Sequence, residues 1–204
     1  MRSSTPRDFH GHCRRCVLKN EICVCDAIPR ITTRTEIVLV RHVTEDRLTS
    51  NSGRFVALAL PRSRLLEYGG GQTFDDSELT RPGTALLYRS AGARPLPFVP
   101  ERLVVLDGSF RQARRMYTRL AALRNLPEFA LESPSIAPTR LRTPPVTDGM
   151  STIEAVAGAL AALEGPEVAA ALYELHAELI RRADRLRGRR RDIIPSGPPP
   201  GEPR

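Results

Sequence analysis

Short aliphatic runs alternate along the chain with longer segments in which apolar residues recur at helical spacing. The short runs are bounded by turn or charged residues, and they predict buried strands at residues 37–40, 85–88 and 103–106. The longer segments predict helices at residues 51–60, 110–123, 151–163 and 167–187. This alternation predicts an α/β fold with a mostly parallel sheet flanked by helices.

The last predicted helix carries one apolar stripe, which we expect to pack inward. Its members are Val168, Leu172, Leu175, Leu179 and Leu186. The only histidine of this helix, His176, is interpreted as an ordinary packed or surface residue.

The length of 204 residues suits one domain with a small appendage at each end. We predict a cysteine-bearing arm at residues 1–30, a core domain at 31–188 and a disordered, basic and proline-rich tail at 189–204. Hydrophobic residues make up 41% of the chain, enough for a core. No apolar run reaches membrane-spanning length, so we expect no membrane partner.

The chain is strongly basic, with a formal net charge of +8. Lys19 is the only lysine, and arginine supplies the other basic side chains. Arginine binds phosphate with a bidentate fork and stacks on bases, which suits a nucleic-acid partner. A basic surface is equally compatible with solubility alone. The sequence carries no indication of oligomeric state.

All four cysteines of the chain, Cys13, Cys16, Cys23 and Cys25, fall within thirteen positions. Paired thiolates at this spacing favour one structural zinc ion, with two disulfides or free thiols as the alternatives. His10 and His12 lie close enough in sequence to replace one thiolate. The first residues lack the apolar run of an export signal, so we expect a reducing, cytoplasmic environment.

The strand at 103–106 runs directly into Asp107, Gly108 and Ser109 before a helix begins. Ligands of α/β folds bind at such carboxyl ends of strands, which makes Asp107 a candidate for chemistry. Gly108 permits a sharp turn, and Ser109 with Gln112 has the spacing of a capping box. The alternative is that these residues only end the strand and start the helix.

Arginines follow on the predicted helix at 110–123, at positions 111, 114, 115 and 119. Like charges four residues apart repel one another, so the row costs stability unless an anion neutralises it. A phosphate backbone would do so, and a solvated face with acidic neighbours is the alternative.

A second capping box, formed by Ser151 and Glu154, opens the helix at 151–163. The amides of a helix start can hold a carboxylate or phosphate, and Arg140 and Arg142 lie just upstream. Such a box is usually only a cap. The chain lacks a phosphate-binding loop and a Gly-x-Gly-x-x-Gly motif, which argues against P-loop and Rossmann enzymes.

Together and in order, these segments resemble the DTW-domain family over residues 13–163. The resemblance rests on the following motifs: Cys-x2-Cys-x6-Cys-x-Cys at 13–25, His42-x-x-Glu45, Asn51-Ser52-Gly53-Arg54, Leu106-Asp107-Gly108-Ser109-Phe110 with Ala113-Arg114, Arg140-Leu141-Arg142, and Ser151-Thr152-Ile153-Glu154-Ala155. The family usually has Asp-Gly-Thr-Trp where this chain has Asp107-Gly108-Ser109-Phe110.

The resemblance implies a knotted SPOUT-like methyltransferase fold. It implies an enzyme that transfers the 3-amino-3-carboxypropyl group of S-adenosylmethionine to N3 of a tRNA uridine and releases 5′-methylthioadenosine. We expect Asp107 to be the catalytic residue, which takes or orients the N3 proton. Expected contacts to S-adenosylmethionine come from Leu106, Gly108, Ser109, Phe110, Arg142, Ser151, Thr152 and Glu154. Expected contacts to tRNA come from His42, Asn51, Arg54, Arg111, Arg114 and Arg115.

Two alternatives stay open from the sequence. One keeps the fold and cofactor but makes the protein an RNA methyltransferase of the SPOUT type. The other is a non-catalytic, zinc-bearing RNA-binding protein, in which Asp107, Ser151 and Glu154 are only caps.

Overall fold

A computed structural model describes residues 10–88, 98–131 and 149–186 of the chain. These residues form one sheet of five parallel strands. The strands are β1 (Glu36–His42), β2 (Ser63–Tyr68), β3 (Thr84–Leu87), β4 (Arg102–Asp107) and β5 (Glu128–Phe129). Their order in the sheet is β2-β1-β4-β3-β5.

Helices cover both faces of this sheet, as the alternating pattern predicted. The helices are α1 (Gly53–Ala59), α2 (Phe110–Arg119), α3 (Ala121–Arg124), α4 (Thr152–Glu164) and α5 (Pro166–Leu186). Helices α1, α4 and α5 pack on one face, and α2 and α3 pack on the other. Short 3-10 helices occur at Asn20–Ile22, Val43–Arg47 and Ser77–Leu79.

The central strands are buried on both faces, which explains their continuous aliphatic runs. In β1, Ile37 and Leu39 point toward α1 and α4, whereas Val38 and Val40 point toward α2 and α3. All four side chains are fully buried. The α/β class and the parallel sheet are therefore confirmed.

Some elements differ from the sequence-based expectation. Strand β2 was not predicted, because as an edge strand it has two exposed charged residues, Arg64 and Glu67, among half-buried ones. The expected helix 110–123 is interrupted at Leu120, whose extended backbone (φ −91°, ψ 105°) ends α2 and starts α3. The expected inward position of Leu186 is wrong, because this side chain is 41% exposed at the last turn of α5.

The cysteine-bearing arm packs into the main core rather than standing apart from it. Cys16, Leu18 and Val24 belong to the same buried cluster as the inner residues of α4 and α5. Arg182 of α5 donates to the carbonyl oxygen of Cys23 and pairs with both carboxylate oxygens of Asp26, at 2.9 and 2.8 Å. The arm is therefore attached to α5 by apolar packing and by one arginine. The predicted tail at 189–204 lies outside the described residues.

The strand order creates a switch point between β1 and β4. From β1 the chain crosses to β2 on one side, and from β4 it crosses through α2 and α3 to β5 on the other. Open parallel sheets bind ligands at such a point, beyond the carboxyl ends of the strands. None of the helices in the described residues combines the length and apolar character that crossing a membrane requires.

Candidate active site and metal centre

Asp107 is the last residue of β4 and lies at the switch point. Its side chain faces α1 and α4, and the residue is only 1% exposed. Asn51 donates its amide Nδ2 to Asp107 Oδ2 at 2.8 Å, and Thr152 donates its hydroxyl to Oδ1 at 2.7 Å. Three segments that are distant in sequence therefore meet at this one carboxylate.

The orientation of Asn51 is determined by a second hydrogen bond. Its Oδ1 accepts from the backbone N–H of Arg54 at 2.9 Å, so its Nδ2 must face Asp107. Gly53 provides the space, because a Cβ at this position would lie 2.4–2.5 Å from the carboxyl atoms of Asp107. From the sequence, Gly53 was identifiable only as part of a motif, because no local pattern indicates that its backbone lies so close to the Asp107 carboxyl group.

Burial raises the pKa of Asp107 above its ordinary value, while the hydrogen bonds from Asn51 and Thr152 act in the opposite direction. The charge of Glu45 also raises this pKa, and that of Arg41 lowers it. A carboxyl group with a raised pKa is a better proton acceptor than an ordinary aspartate once it is ionised.

Arg41 is a buried cation that the sequence analysis did not assign to the site. It is the direct neighbour of Asp107 in the pairing of β1 with β4, and Nη2 of its guanidinium pairs with Asp46 and Glu67. Its Nε is buried and has no hydrogen-bond partner among the described residues. An arginine inside an otherwise aliphatic strand was the signal that could have identified it.

The start of α4 brings the predicted residue Thr152 into contact with Asp107, next to a capping box formed by two other predicted residues. The Ser151–Glu154 capping box is present, with Glu154 Oε2 accepting from the N–H and the hydroxyl of Ser151 at 2.8 and 2.7 Å. Thr152 uses its hydroxyl for Asp107. The backbone N–H of Ile153 donates to Ser52 Oγ at 3.3 Å, which joins α4 to the residue before α1.

On the other face of the sheet, the start of α2 lies against the end of β1. Ser109 and Gln112 form the predicted capping box. Gln112 also reaches across to His42 Nδ1 at 3.2 Å and to Thr44 Oγ1 at 2.7 Å. Phe110 leaves 44% of its surface exposed.

The arginines of α2 form an exposed surface, as expected. Within the described part of the chain, none of them has an ion pair with an acidic residue. They are Arg111, Arg114, Arg115 and Arg119. Such a cationic face can bind a polyanion.

The side chain of Arg54, a predicted residue, makes its hydrogen bonds away from Asp107. Arg54 is buried, and its guanidinium donates to the carbonyl oxygens of Leu48 and Asp46. It therefore holds the loop after β1 in place. Arg142, the expected anchor for a donor carboxylate, lies outside the described residues.

The four cysteines form a cluster that could hold one metal ion. All four sulfur atoms lie within 4.8 Å of one another, and neither His10 nor His12 belongs to the cluster. The pairs Cys13–Cys25 and Cys16–Cys23 are 3.6 and 3.7 Å apart, and all four thiols are free. Sulfur atoms around one tetrahedral zinc ion are separated by about 3.8 Å, given a Zn–S bond of about 2.3 Å. The cluster therefore has the dimensions of a zinc site.

The turn that carries the first two cysteines is tight. Val17 adopts φ 65°, which is unusual for a β-branched residue. The backbone N–H of Val17 donates to Cys13 O, and that of Cys13 donates to Leu18 O, both at 2.8 Å. The pKa of Cys13 is lowered to about 6, mainly by the backbone N–H of Cys16, whereas burial raises the pKa of Cys16 and Cys25. A bound cation would favour the thiolate form of all four cysteines.

The chain is similar to a known protein family and to several curated proteins. The family model described as "DTW domain" matches residues 10–183. A tRNA-uridine aminocarboxypropyltransferase 2 of Drosophila melanogaster is 29% identical over 181 residues, which cover 81% of this chain and 72% of that protein. Proteins of the same name from Macaca fascicularis and Mus musculus are 25% and 23% identical and are covered over 58% and 56% of their length. No solved structure gave a significant match.

The family model spans both the cysteine cluster and the switch-point site, so it includes the arm and the core together. The match covers far more than half of the chain. This chain therefore belongs to the DTW-domain family.

Proposed function

We propose that this protein transfers the 3-amino-3-carboxypropyl group of S-adenosylmethionine to N3 of a uridine in tRNA. Family membership and the names of the curated relatives support this activity. The single observation that carries the proposal is the buried carboxylate of Asp107 at the switch point, held by donors from two other segments. We propose that the enzyme acts in the cytoplasm.

In this reaction S-adenosylmethionine supplies an electrophilic γ-methylene next to a positively charged sulfur. The bond from N3 to that carbon forms while the bond from the carbon to sulfur breaks, and the sulfur keeps the electron pair. The N3 proton must leave, because protonated N3 is a poor nucleophile. Asp107 accepts or orients that proton, and its raised pKa suits the task.

The residues around the site fit the donor molecule. Phe110 exposes an aromatic face that can stack on an adenine ring. The starts of α2 and α4 lie at the same edge of the sheet, where Gly108, Ser109, Ser151 and Glu154 line the turns. We propose that these turns, together with Leu106, Thr152 and Arg142, hold the donor and point its longer arm toward N3.

We propose that the exposed arginines of α2 bind the tRNA. His42, Asn51 and Arg54 are proposed to contact it near the uridine. Phosphate contacts of this kind do not depend on sequence and weaken with salt. The cysteine cluster is proposed to hold one structural zinc ion, since four protein ligands leave no open position for chemistry.

The decisive test uses Asp107→Asn with purified tRNA and S-adenosylmethionine. Asparagine has the same shape, and it can accept from Asn51 while donating to Thr152, so the fold is preserved. We expect kcat to fall by about 10²–10⁴-fold because the proton acceptor is lost. Asp75→Asn, which changes an exposed carboxylate far along the chain, is the matched control and should keep full activity.

The products distinguish the two enzymatic hypotheses. Nucleoside mass spectrometry of the tRNA should show an added aminocarboxypropyl group on uridine, and the small-molecule product should be 5′-methylthioadenosine. S-adenosylhomocysteine would instead identify a methyltransferase. Unchanged uridine modification in Asp107→Asn would contradict the catalytic assignment.

Two structural parts of the proposal have their own tests. Cys16→Ser should lower the zinc content from about one ion per chain, as measured by metal analysis of the purified protein. A native, folded protein that contains no zinc would contradict the metal assignment. The knotted SPOUT-like arrangement would be tested by a crystal structure that traces the chain from β5 to α4.

A further inference from the structure

The amide of Gln112 is oriented by hydrogen bonds at both ends. Its Oε1 accepts from the backbone N–H of Ser109 at 2.7 Å and from the Ser109 hydroxyl at 2.8 Å. A backbone N–H is always a donor, so the atom facing it must be the carbonyl oxygen. The amide nitrogen therefore points the other way, toward Thr44 and His42 at the end of β1.

This orientation determines which ring nitrogen of His42 carries the proton. Nδ1 of His42 receives the Gln112 amide at 3.2 Å and the backbone N–H of Thr44 at 3.3 Å, and both groups can only donate. The Thr44 hydroxyl lies 2.8 Å from the same nitrogen. Two obligatory donors at one nitrogen require a lone pair there, so the single proton of the neutral ring resides on Nε2.

The ring is placed where a donor could meet the substrate. His42 follows Arg41, the residue that pairs with Asp107 across the sheet, so it lies at the same carboxyl edge, with its side chain on the α2 face and that of Asp107 on the α1 and α4 face. Nε2 lies beside Gly69, where a Cβ would be in ordinary van der Waals contact with that nitrogen at 3.5 Å.

We infer that Gln112 is a positioning residue that holds the proton of His42 on Nε2, and that this N–H donates to a carbonyl oxygen of the uracil. The second half of this inference rests on the proposed function. When N3 loses its proton to Asp107, the negative charge spreads onto the two neighbouring carbonyl oxygens. A fixed neutral donor stabilises that charge as the new N3–carbon bond forms, and its own proton stays on the ring.

Helix capping alone does not require an amide at this position. In α4 the same box uses Glu154, whose carboxylate accepts from the Ser151 N–H and hydroxyl just as Gln112 accepts from Ser109. A glutamate at position 112 would therefore cap α2 equally well. The glutamate would lose only the hydrogen bonds to His42 and Thr44, because its second carboxylate oxygen cannot donate.

The substitution Gln112→Glu consequently separates capping from positioning. We would label the protein with ¹⁵N and record long-range ¹H–¹⁵N correlations of the imidazole rings at about pH 8, where an ordinary imidazole is neutral. The chain has only four histidines, and His42→Phe identifies the signals of His42. The matched control is Gln72→Glu, which adds the same charge at an exposed position.

We expect the wild-type protein and Gln72→Glu to show His42 with its proton on Nε2. In Gln112→Glu part of the proton should move to Nδ1, because the new carboxylate oxygen can only accept and competes with the one remaining donor, the Thr44 N–H. Retention of the Nε2 proton alone in Gln112→Glu would overturn the positioning role. This readout needs neither tRNA nor S-adenosylmethionine, so it stands even if the transfer activity is not found.

Enzyme kinetics test the second part of the inference, the hydrogen bond from His42 to a uracil carbonyl oxygen. Gln112→Glu should lower kcat by about 10²-fold or more, the size of losing one oxyanion donor, while tRNA affinity stays near wild type. His42→Phe should lower kcat by a similar factor, and it is judged by kcat because His42 itself belongs to the proposed uridine surface. If the wild-type enzyme transfers the group and His42→Phe does so equally fast, the contact to uracil is refuted. If the wild-type protein does not transfer it, the proposed function itself fails.

Discussion

The hydroxyl of Thr152 holds a buried carboxylate, and its removal provides a quantitative test of the site. Thr152→Val replaces the hydroxyl by a methyl group and keeps the branched shape. Asp107 then loses one of its two hydrogen-bond donors, the one at 2.7 Å, and keeps Asn51. A hydrogen bond to a charged group contributes about 1.5–3 kcal/mol. We expect the free energy of unfolding to fall by about that amount when Asp107 is ionised.

The effect depends on pH in a direction that the structure determines. Burial already raises the pKa of Asp107, and the Thr152 hydrogen bond works against that rise. The variant should therefore have a still higher pKa at Asp107. A folded-state pKa above the unfolded value means that ionisation subtracts stability as pH rises through it. The two proteins should thus have similar stability at low pH and should diverge as pH rises.

Urea unfolding followed by circular dichroism at several values between about pH 4 and pH 9 would measure this difference. Thr118→Val is the matched control, since its exposed hydroxyl bonds only to carbonyl oxygens of α2. It should change stability by no more than about 0.5 kcal/mol at any pH. A loss in Thr152→Val that is constant with pH, or no loss, would refute the role of Thr152 as a donor to an ionised Asp107.

Two further outcomes are expected. Gly53→Ala should destabilise the protein by about 1–3 kcal/mol in urea unfolding, because its Cβ would lie 2.4–2.5 Å from the buried Asp107 carboxyl; a neutral effect would contradict this close approach. Arg115→Ala should weaken tRNA binding for all sequences and reduce the slope of log affinity against log salt by about 1, as measured by filter binding; an unchanged slope would remove Arg115 from the tRNA surface.

Much of the core was predictable because its determinants are local. The aliphatic residues at 37–40, 85–87 and 103–106 all lie in strands, since a strand buried on both faces needs apolar residues at every position. Tyr88, the last residue of the predicted run 85–88, lies just beyond β3. Strand β2 was not predicted because it lies at the edge of the sheet, where the exposed Arg64 and Glu67 interrupt its apolar run. The break between α2 and α3 at Leu120 was not predicted, because the helical spacing of apolar residues continues through this residue.

The sequence predicted which residues belong to the site better than it predicted which of them contact one another. Both capping boxes, at Ser109 and Ser151, are present because a cap depends on residues three positions apart. The hydrogen bond of Thr152 to Asp107 and the position of Arg41 next to Asp107 could not be anticipated, since they depend on which segments are neighbours in the fold. The roles predicted for the remaining site residues stay predictions.

The sequence alone determined the α/β class, the positions of the central strands and the spacing of four thiols that can share one metal ion. These properties arise from hydrophobic periodicity and from residues a few positions apart. The contacts of Asp107 with Asn51, 56 residues away, and with Thr152, 45 residues away, are properties of the folded chain. Contacts over such separations follow from the order of strands in the sheet, which a local pattern does not contain.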